Sequence, residues 1–237
     1  MVRFARESWQ RDPRIGALVL IGSACVAAFF LLAALTLLAP GFVEFDTAVS
    51  AAIRSVRFPG SRTIAIVTST VGNFWAVATL TAVTAGWLYA RHRRLAALVV
   101  VIAMAGGSAI GALFKLLFMR ARPMIEQALI PLPETYGFPS GHALSSLIYF
   151  GCLALIVLSG DASFRRKLIV AVLCAAAALA IALSRVFLGV HYLADVVGAW
   201  MLGAAWLSLV TVIAIRWAAG SAEERRAKKR RADGRRA

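Results

Sequence analysis

The chain has 237 residues, 61% of them hydrophobic and only 16% charged, with a net charge of +15 and a mean hydropathy of +0.80. A soluble domain carries about 25% charged residues, so this composition excludes an ordinary soluble domain and points to the bilayer as solvent. The positive charge could suit nucleic acid, but it gathers where membrane topology signals fall, and no nucleic-acid partner is expected.

Taken in chain order, residues 15–39 and 63–90 contain no charged residue. Runs of this length read as transmembrane helices, which need about 18 or more apolar residues. Further spans are predicted at 95–117, 143–159, 168–183 and 192–215. The fold class is therefore all-α, a polytopic membrane protein with six transmembrane helices in a bundle. The fourth and fifth runs are short for a core of ~30 Å, so their ends should extend into flanking sequence. The first run is longer than the roughly 7–15 residues of a signal-peptide core and reads as an uncleaved helix. Cys25, Cys152 and Cys174 fall inside predicted spans without metal-ligand spacing, as small apolar residues do. No internal repeat is evident.

Loops on alternating sides of six spans divide the basic residues unequally. Nineteen fall on the side holding Arg3, Arg6, Arg11 and Arg14, the 91–94 loop, the 165–167 loop and the C-terminal tail. Seven fall opposite: Arg54, Arg57, Arg62, Lys115, Arg120, Arg122 and Arg185. The positive-inside rule places the first group in the cytoplasm, with both termini. Residues 1–217 form the expected membrane domain. Residues 218–237, containing "EERRAKKRRADGRRA", form a basic cytoplasmic tail that reads as a topology signal and a disordered, solvated end. A nucleic-acid or anionic-lipid patch is the other reading of that run.

Three polar segments share the outer side. In "KLLFMRARP", Lys115 closes the third span and Arg120 and Arg122 follow. Each cation alone could serve the helix dipole or snorkel to the interface. In "YGFPSGHALSS", Pro139 resists continuing any helix before it and Ser140 can cap the next one. Gly141 permits close backbone approach, and the first-turn N–H groups make an anion site. His142 would stand at the positive end of that dipole, where an imidazolium is disfavoured unless an anion lies opposite. In "SRVFLGVHYLAD", Asp195 is the one acidic residue inside a predicted span, which is costly and functional by default. His191, four residues earlier, is expected on the same helix face. Asp195 could hold one ring nitrogen of His191 protonated, leaving the other free as nucleophile or base. His92, in "RHRR", belongs to a basic loop. Lys115, Arg122 and Arg185 suit a phosphate dianion and would repel a metal ion, so neither metal nor cofactor is expected.

These segments resemble the type 2 phosphatidic acid phosphatase superfamily, membrane lipid phosphatases related to bacterial acid phosphatases and vanadium haloperoxidases. The likeness rests on Lys115 with Arg122-Pro123, on Pro139 to His142, and on Ser184-Arg185 with His191 and Asp195. It covers residues 115–195 in detail. The resemblance implies that His191 attacks phosphorus to form a phosphohistidine and that Asp195 orients it. It implies that Lys115, Arg122, Ser140, Gly141 and Arg185 hold the phosphate, and that His142 protonates the leaving oxygen. It further implies a metal-independent hydrolase of lipid phosphates or diphosphates, active at the outer face of the bacterial cytoplasmic membrane. Undecaprenyl diphosphate is the favoured substrate, with phosphatidylglycerophosphate, phosphatidate and lipid A phosphates as alternatives. The loop after Arg122 carries Glu126 and Glu134 but no further Arg or Lys before Pro139, which offers no second phosphate clamp. A phosphate or anion transporter is the rival of another class, although the polar residues lie near one surface rather than at mid-membrane.

Overall fold

The computed structural model describes residues 13–124, 126 and 128–233, with side chains to Glu224. Arg3, Arg6, Arg11 and the end of the basic tail, all used in the charge argument, lie outside the described residues. Eight helices account for the regular structure of the described residues: α1 (Pro13–Leu38), α2 (Pro40–Ser55), α3 (Ser61–Val71), α4 (Phe74–Ala90), α5 (Arg94–Phe118), α6 (Gly141–Leu158), α7 (Phe164–Phe187) and α8 (Leu193–Asp233). Five are long and apolar enough to cross a membrane alone. The pair α3 and α4, bent by 48°, meets the same test of length and apolarity when taken as one broken span, giving up to six.

The chain is thus a polytopic helical membrane protein, as its apolar runs require. Three departures from the sequence reading matter for the site. The second span is broken at Gly72 and Asn73, where the Asn73 side chain accepts from the Ala76 N–H at 2.7 Å and caps α4. Continuous apolar composition hides such a cap, because a span and a broken span bury similar side chains. The second departure is α2, a short helix opened by Pro40 that buries Asp46, Ser50 and Arg54. The third is the tail: α8 continues in helical form to Asp233, where a disordered end was expected from residue 218. Its Ala, Glu, Arg and Lys residues are strong helix formers, which accounts for the continuation. Of the two short spans, the fifth extends to 24 residues in α7, while the fourth, starting at Gly141, reaches only 18 in α6.

Packing follows from side-chain size. α1 lies along α8, and α6 packs against α5, α7 and α8. The outward faces keep large apolar residues exposed, such as Leu31 on α1 and Phe164 on α7, as a lipid-facing surface allows. At the C-terminal end of α5, Phe138 stacks on Phe29 at 5.5 Å and meets Phe118 edge-on at 5.5 Å. This buried aromatic cluster anchors the segment that enters α6.

Candidate active site

His191 sits in the turn between α7 and α8, where Gly189 takes φ +75. It therefore precedes α8 instead of sharing a helical face with Asp195, correcting the sequence reading. The two still meet, with His191 Nδ1 3.2 Å from Asp195 Oδ2. The contact forms because Asp195, in the first turn of α8, reaches back and accepts from the Tyr192 N–H at 3.0 Å. The other ring nitrogen, Nε2, lies 3.0 Å from Arg122 Nη1. A guanidinium can only donate, so Nε2 carries the lone pair and Nδ1–H donates to Asp195. His191 is 2% exposed and Asp195 wholly buried. Burial pushes the His191 pKa down to about 4, against the upward pull of Asp195, so the imidazole is neutral at neutral pH.

Arg122 is fixed from several sides. Its Nε donates to the Thr135 carbonyl at 2.6 Å, Nη1 to the Val190 carbonyl at 2.7 Å, and Nη2 to Thr135 Oγ1 at 3.0 Å. Lys115 Nζ donates to the Tyr136 carbonyl at 2.6 Å. Arg185, on α7, donates to the Ser69 hydroxyl on α3. His142 lies within the electrostatic reach of Arg185, His191, Arg122 and Lys115. Helices α5, α6 and α7 and the turn before α8 thereby bring together all three segments that the sequence singled out.

Ser140 departs from expectation. It occupies the N-cap position of α6, yet its side chain makes no capping bond. Its backbone N–H instead donates to the Asp195 carbonyl at 3.0 Å, tying the second segment to the third. Its hydroxyl is buried without a hydrogen-bond partner, and so is Arg185 Nε. A Cβ built on Gly141 would meet nothing within 4 Å, so the space before the α6 N-terminus is open. Among the described residues, no group of three or more His, Cys, Asp or Glu side chains is placed to hold a metal ion.

Sequence reasoning missed Asp46 and read Arg120 only as one more border cation, yet the two form a buried charge pair at this site. Arg120 donates to Asp195 Oδ1 at 2.6 Å and to Asp46 Oδ2 at 2.8 Å. Burial works against its charge, but the two carboxylates outweigh that and hold its pKa above the ordinary arginine value. Asp46 stands on α2, far from any recognisable motif. Its one signal in the sequence is the recurrence of Asp46, Ser50 and Arg54 at four-residue intervals, which marks a single helix face.

A cavity of ≈ 580 Å³ opens between α4, α5 and α6, lined by Phe74, Val77, Val101, Met104 and Leu144, with Lys115 and His142 also in its wall. Val101 precedes Lys115 by fourteen residues, about 21 Å along a helix, so the cavity runs deep into the apolar bundle.

Comparison with known proteins fits this geometry. The undecaprenyl-diphosphatase of Sulfolobus acidocaldarius is 31% identical over 134 residues, 55% of this chain. The match spans 60% of that relative's length. The crystal structure of a transmembrane PAP2 type phosphatidylglycerolphosphate phosphatase from Bacillus subtilis superposes with a TM-score of 0.74. At 21% identity, this covers 80% of this chain and 94% of that one, a likeness of fold. The model of the PAP2 superfamily matches residues 95–218, more than half of the chain and every residue from Lys115 to Asp195 that gathers around His191. The chain belongs to the PAP2 superfamily.

Proposed function

We propose that the protein is a metal-independent lipid phosphatase that works through a phosphohistidine and converts undecaprenyl diphosphate to undecaprenyl phosphate. The observation that carries this reading is the set of unpaired donors beside a neutral histidine. Leaving a buried hydroxyl unpaired costs about 1–3 kcal/mol. Ser140 Oγ, Arg185 Nε and the uncapped first turn of α6 accept that cost in one place, which is intelligible when an anion is their partner.

In this reading, phosphate oxygens take hydrogen bonds from Lys115, Arg122, Arg185, Ser140 and the Gly141 backbone. The Nε2 lone pair of His191 attacks phosphorus, and the bond to the leaving oxygen breaks. That oxygen takes its proton from His142. Asp195 balances the charge that develops on the His191 ring. Water then attacks the phosphoenzyme with His142 receiving its proton, and the P–N bond breaks to return the lone pair to Nε2. The fixed cations stabilise the transferring phosphoryl group.

The apolar cavity beside His142 and Lys115 supports a substrate with a hydrocarbon chain, and the name of the Sulfolobus relative supports an isoprenoid diphosphate. The test is phosphate release by purified protein in detergent with EDTA, using undecaprenyl diphosphate, phosphatidylglycerophosphate, phosphatidate and lipid A. Activity restricted to added magnesium would defeat the metal-free reading. Preference for a glycerol phosphate would defeat the substrate assignment.

The distribution of basic residues supports a site facing away from the cytoplasm. In an otherwise cysteine-free chain, Glu134→Cys, at an exposed position, should react with an impermeant thiol reagent in intact cells. Labelling only after lysis would invert the topology.

A further inference from the structure

Four buried ionisable groups stand in a row: Asp46, Arg120, Asp195 and His191, none more than 7% exposed. Arg120 is the shared member, bonding both carboxylates and lying over the Tyr192 ring at 4.7 Å. Asp46 also accepts from the Ala194 N–H at 2.9 Å, and Ser50 accepts from the Leu193 N–H at 2.9 Å. Helix α2 therefore caps the first turn of α8 from outside, at the turn that carries Asp195. It lies wholly before the segment that matches the family model.

We propose that Asp46 is a positioning residue for His191, acting through Arg120 and the start of α8. This rests on the reading of His191 as nucleophile. A carboxylate that only capped α8 would not need Arg120, and a cation that only paired with Asp195 would weaken that carboxylate's hold on the imidazole. Sharing Arg120 between two carboxylates leaves Asp195 more of its negative charge for the Nδ1–H of His191. Asp46 thus fixes both the direction and the strength of the Asp195–His191 contact. The other charged groups around His191 are Arg122 in the segment after α5, Arg185 on α7, His142 on α6 and Lys115 on α5. The two guanidinium groups and the ammonium are cationic, so the negative charge that reaches the ring comes through Asp195.

The experiment is a double-mutant cycle on the full chain in detergent, with Asp46→Asn, Asp195→Asn and the pair, using undecaprenyl diphosphate. Thermal stability and a ¹⁵N-histidine NMR titration of His191 accompany it. Asp46→Asn should lower kcat by about 10- to 100-fold with KM little changed, the range known for groups that orient metal-ligating histidines. In the Asp195→Asn background the same change should cost less than about twofold, because its route to the ring is already cut. The His191 midpoint should move to lower pH in Asp46→Asn. Equal losses in both backgrounds, or an unmoved His191 titration, would overturn the proposal. If Asp46→Asn does not fold, Asp46→Glu keeps the charge while displacing the carboxylate. It should then lower kcat with the His191 midpoint near that of the wild type, and full activity in that variant would equally overturn it. If the wild type releases no phosphate from any lipid, the phosphatase reading fails and the His191 titration alone decides the role of Asp46.

Discussion

Arg122 donates to Nε2 of His191 across 3.0 Å, so the cation proposed to grip the phosphate holds the lone pair proposed to attack it, and must release that lone pair as phosphate enters. Three backbone carbonyls, of Thr135, Tyr136 and Val190, and the Thr135 hydroxyl hold that guanidinium in place. Its hydrogen bonds run in several directions at once, which a planar fork can satisfy and a point charge cannot.

Arg122→Lys should therefore behave as a loss rather than a conservative change. Charge remains, but the ties to Thr135 and Val190 cannot all be replaced. We expect kcat/KM to fall by roughly 10²- to 10³-fold, the scale of losing one positioned oxyanion donor, with the melting temperature lowered only modestly. Activity within a factor of three of wild type would show that Arg122 supplies charge alone.

The buried, neutral His191 carries a signature in stability. Its folded-state pKa, pushed down by burial to about 4, lies below the ordinary histidine value of about 6.5. Between these limits the unfolded chain binds a proton there that the folded chain does not. Stability is full above pH 6.5 and declines as pH falls toward 4. Denaturation of wild type and His191→Asn across that window isolates this contribution. The wild type should lose more stability than the variant on acidification, and parallel curves would contradict a neutral buried imidazole.

Two glycines separate the frame of the site from its reaction space. A Cβ on Gly198 would lie 2.4 Å from Phe138 Cε2, and Phe138 is locked in the aromatic cluster that leads into Pro139 and Ser140. Gly198→Ala should cost roughly 1–3 kcal/mol, as overpacking does, visible as a lower melting temperature. Gly141→Ala meets nothing within 4 Å beyond its chain neighbours and its own helix backbone, and should leave the melting temperature nearly unchanged while raising KM. Matching stability losses in the two variants would refute the division.

How much of this was legible in the sequence depended on what each residue does. Lys115, Arg122, His142, Arg185, His191 and Asp195 were readable because ionisable residues at membrane borders are costly and stand out. Asp46 was not, and Arg120 stood out only as a border cation, without its two carboxylate partners. A polar stripe on a short helix normally faces water, whereas α2 turns Asp46, Ser50 and Arg54 inward and leaves Phe45 exposed. The spacing of His191 and Asp195 suggested a shared helix face, but the contact depends on the turn at Gly189, which spacing alone does not reveal. Ser140 looked like a helix cap, and only three-dimensional placement shows its hydroxyl without a partner.

In the proposed mechanism Nε2 of His191 takes the phosphoryl group. The direct measurement is rapid quenching at alkaline pH of wild type, His142→Ala and His191→Ala with terminally labelled undecaprenyl diphosphate, followed by mass spectrometry of the labelled peptide. Wild type should carry acid-labile phosphate on His191. His142→Ala should form that adduct roughly 10²- to 10⁴-fold more slowly, the range for losing a general acid, and His191→Ala should form none. Labelled phosphoenzyme in His191→Ala, or label on any other residue of the wild type, would contradict the account.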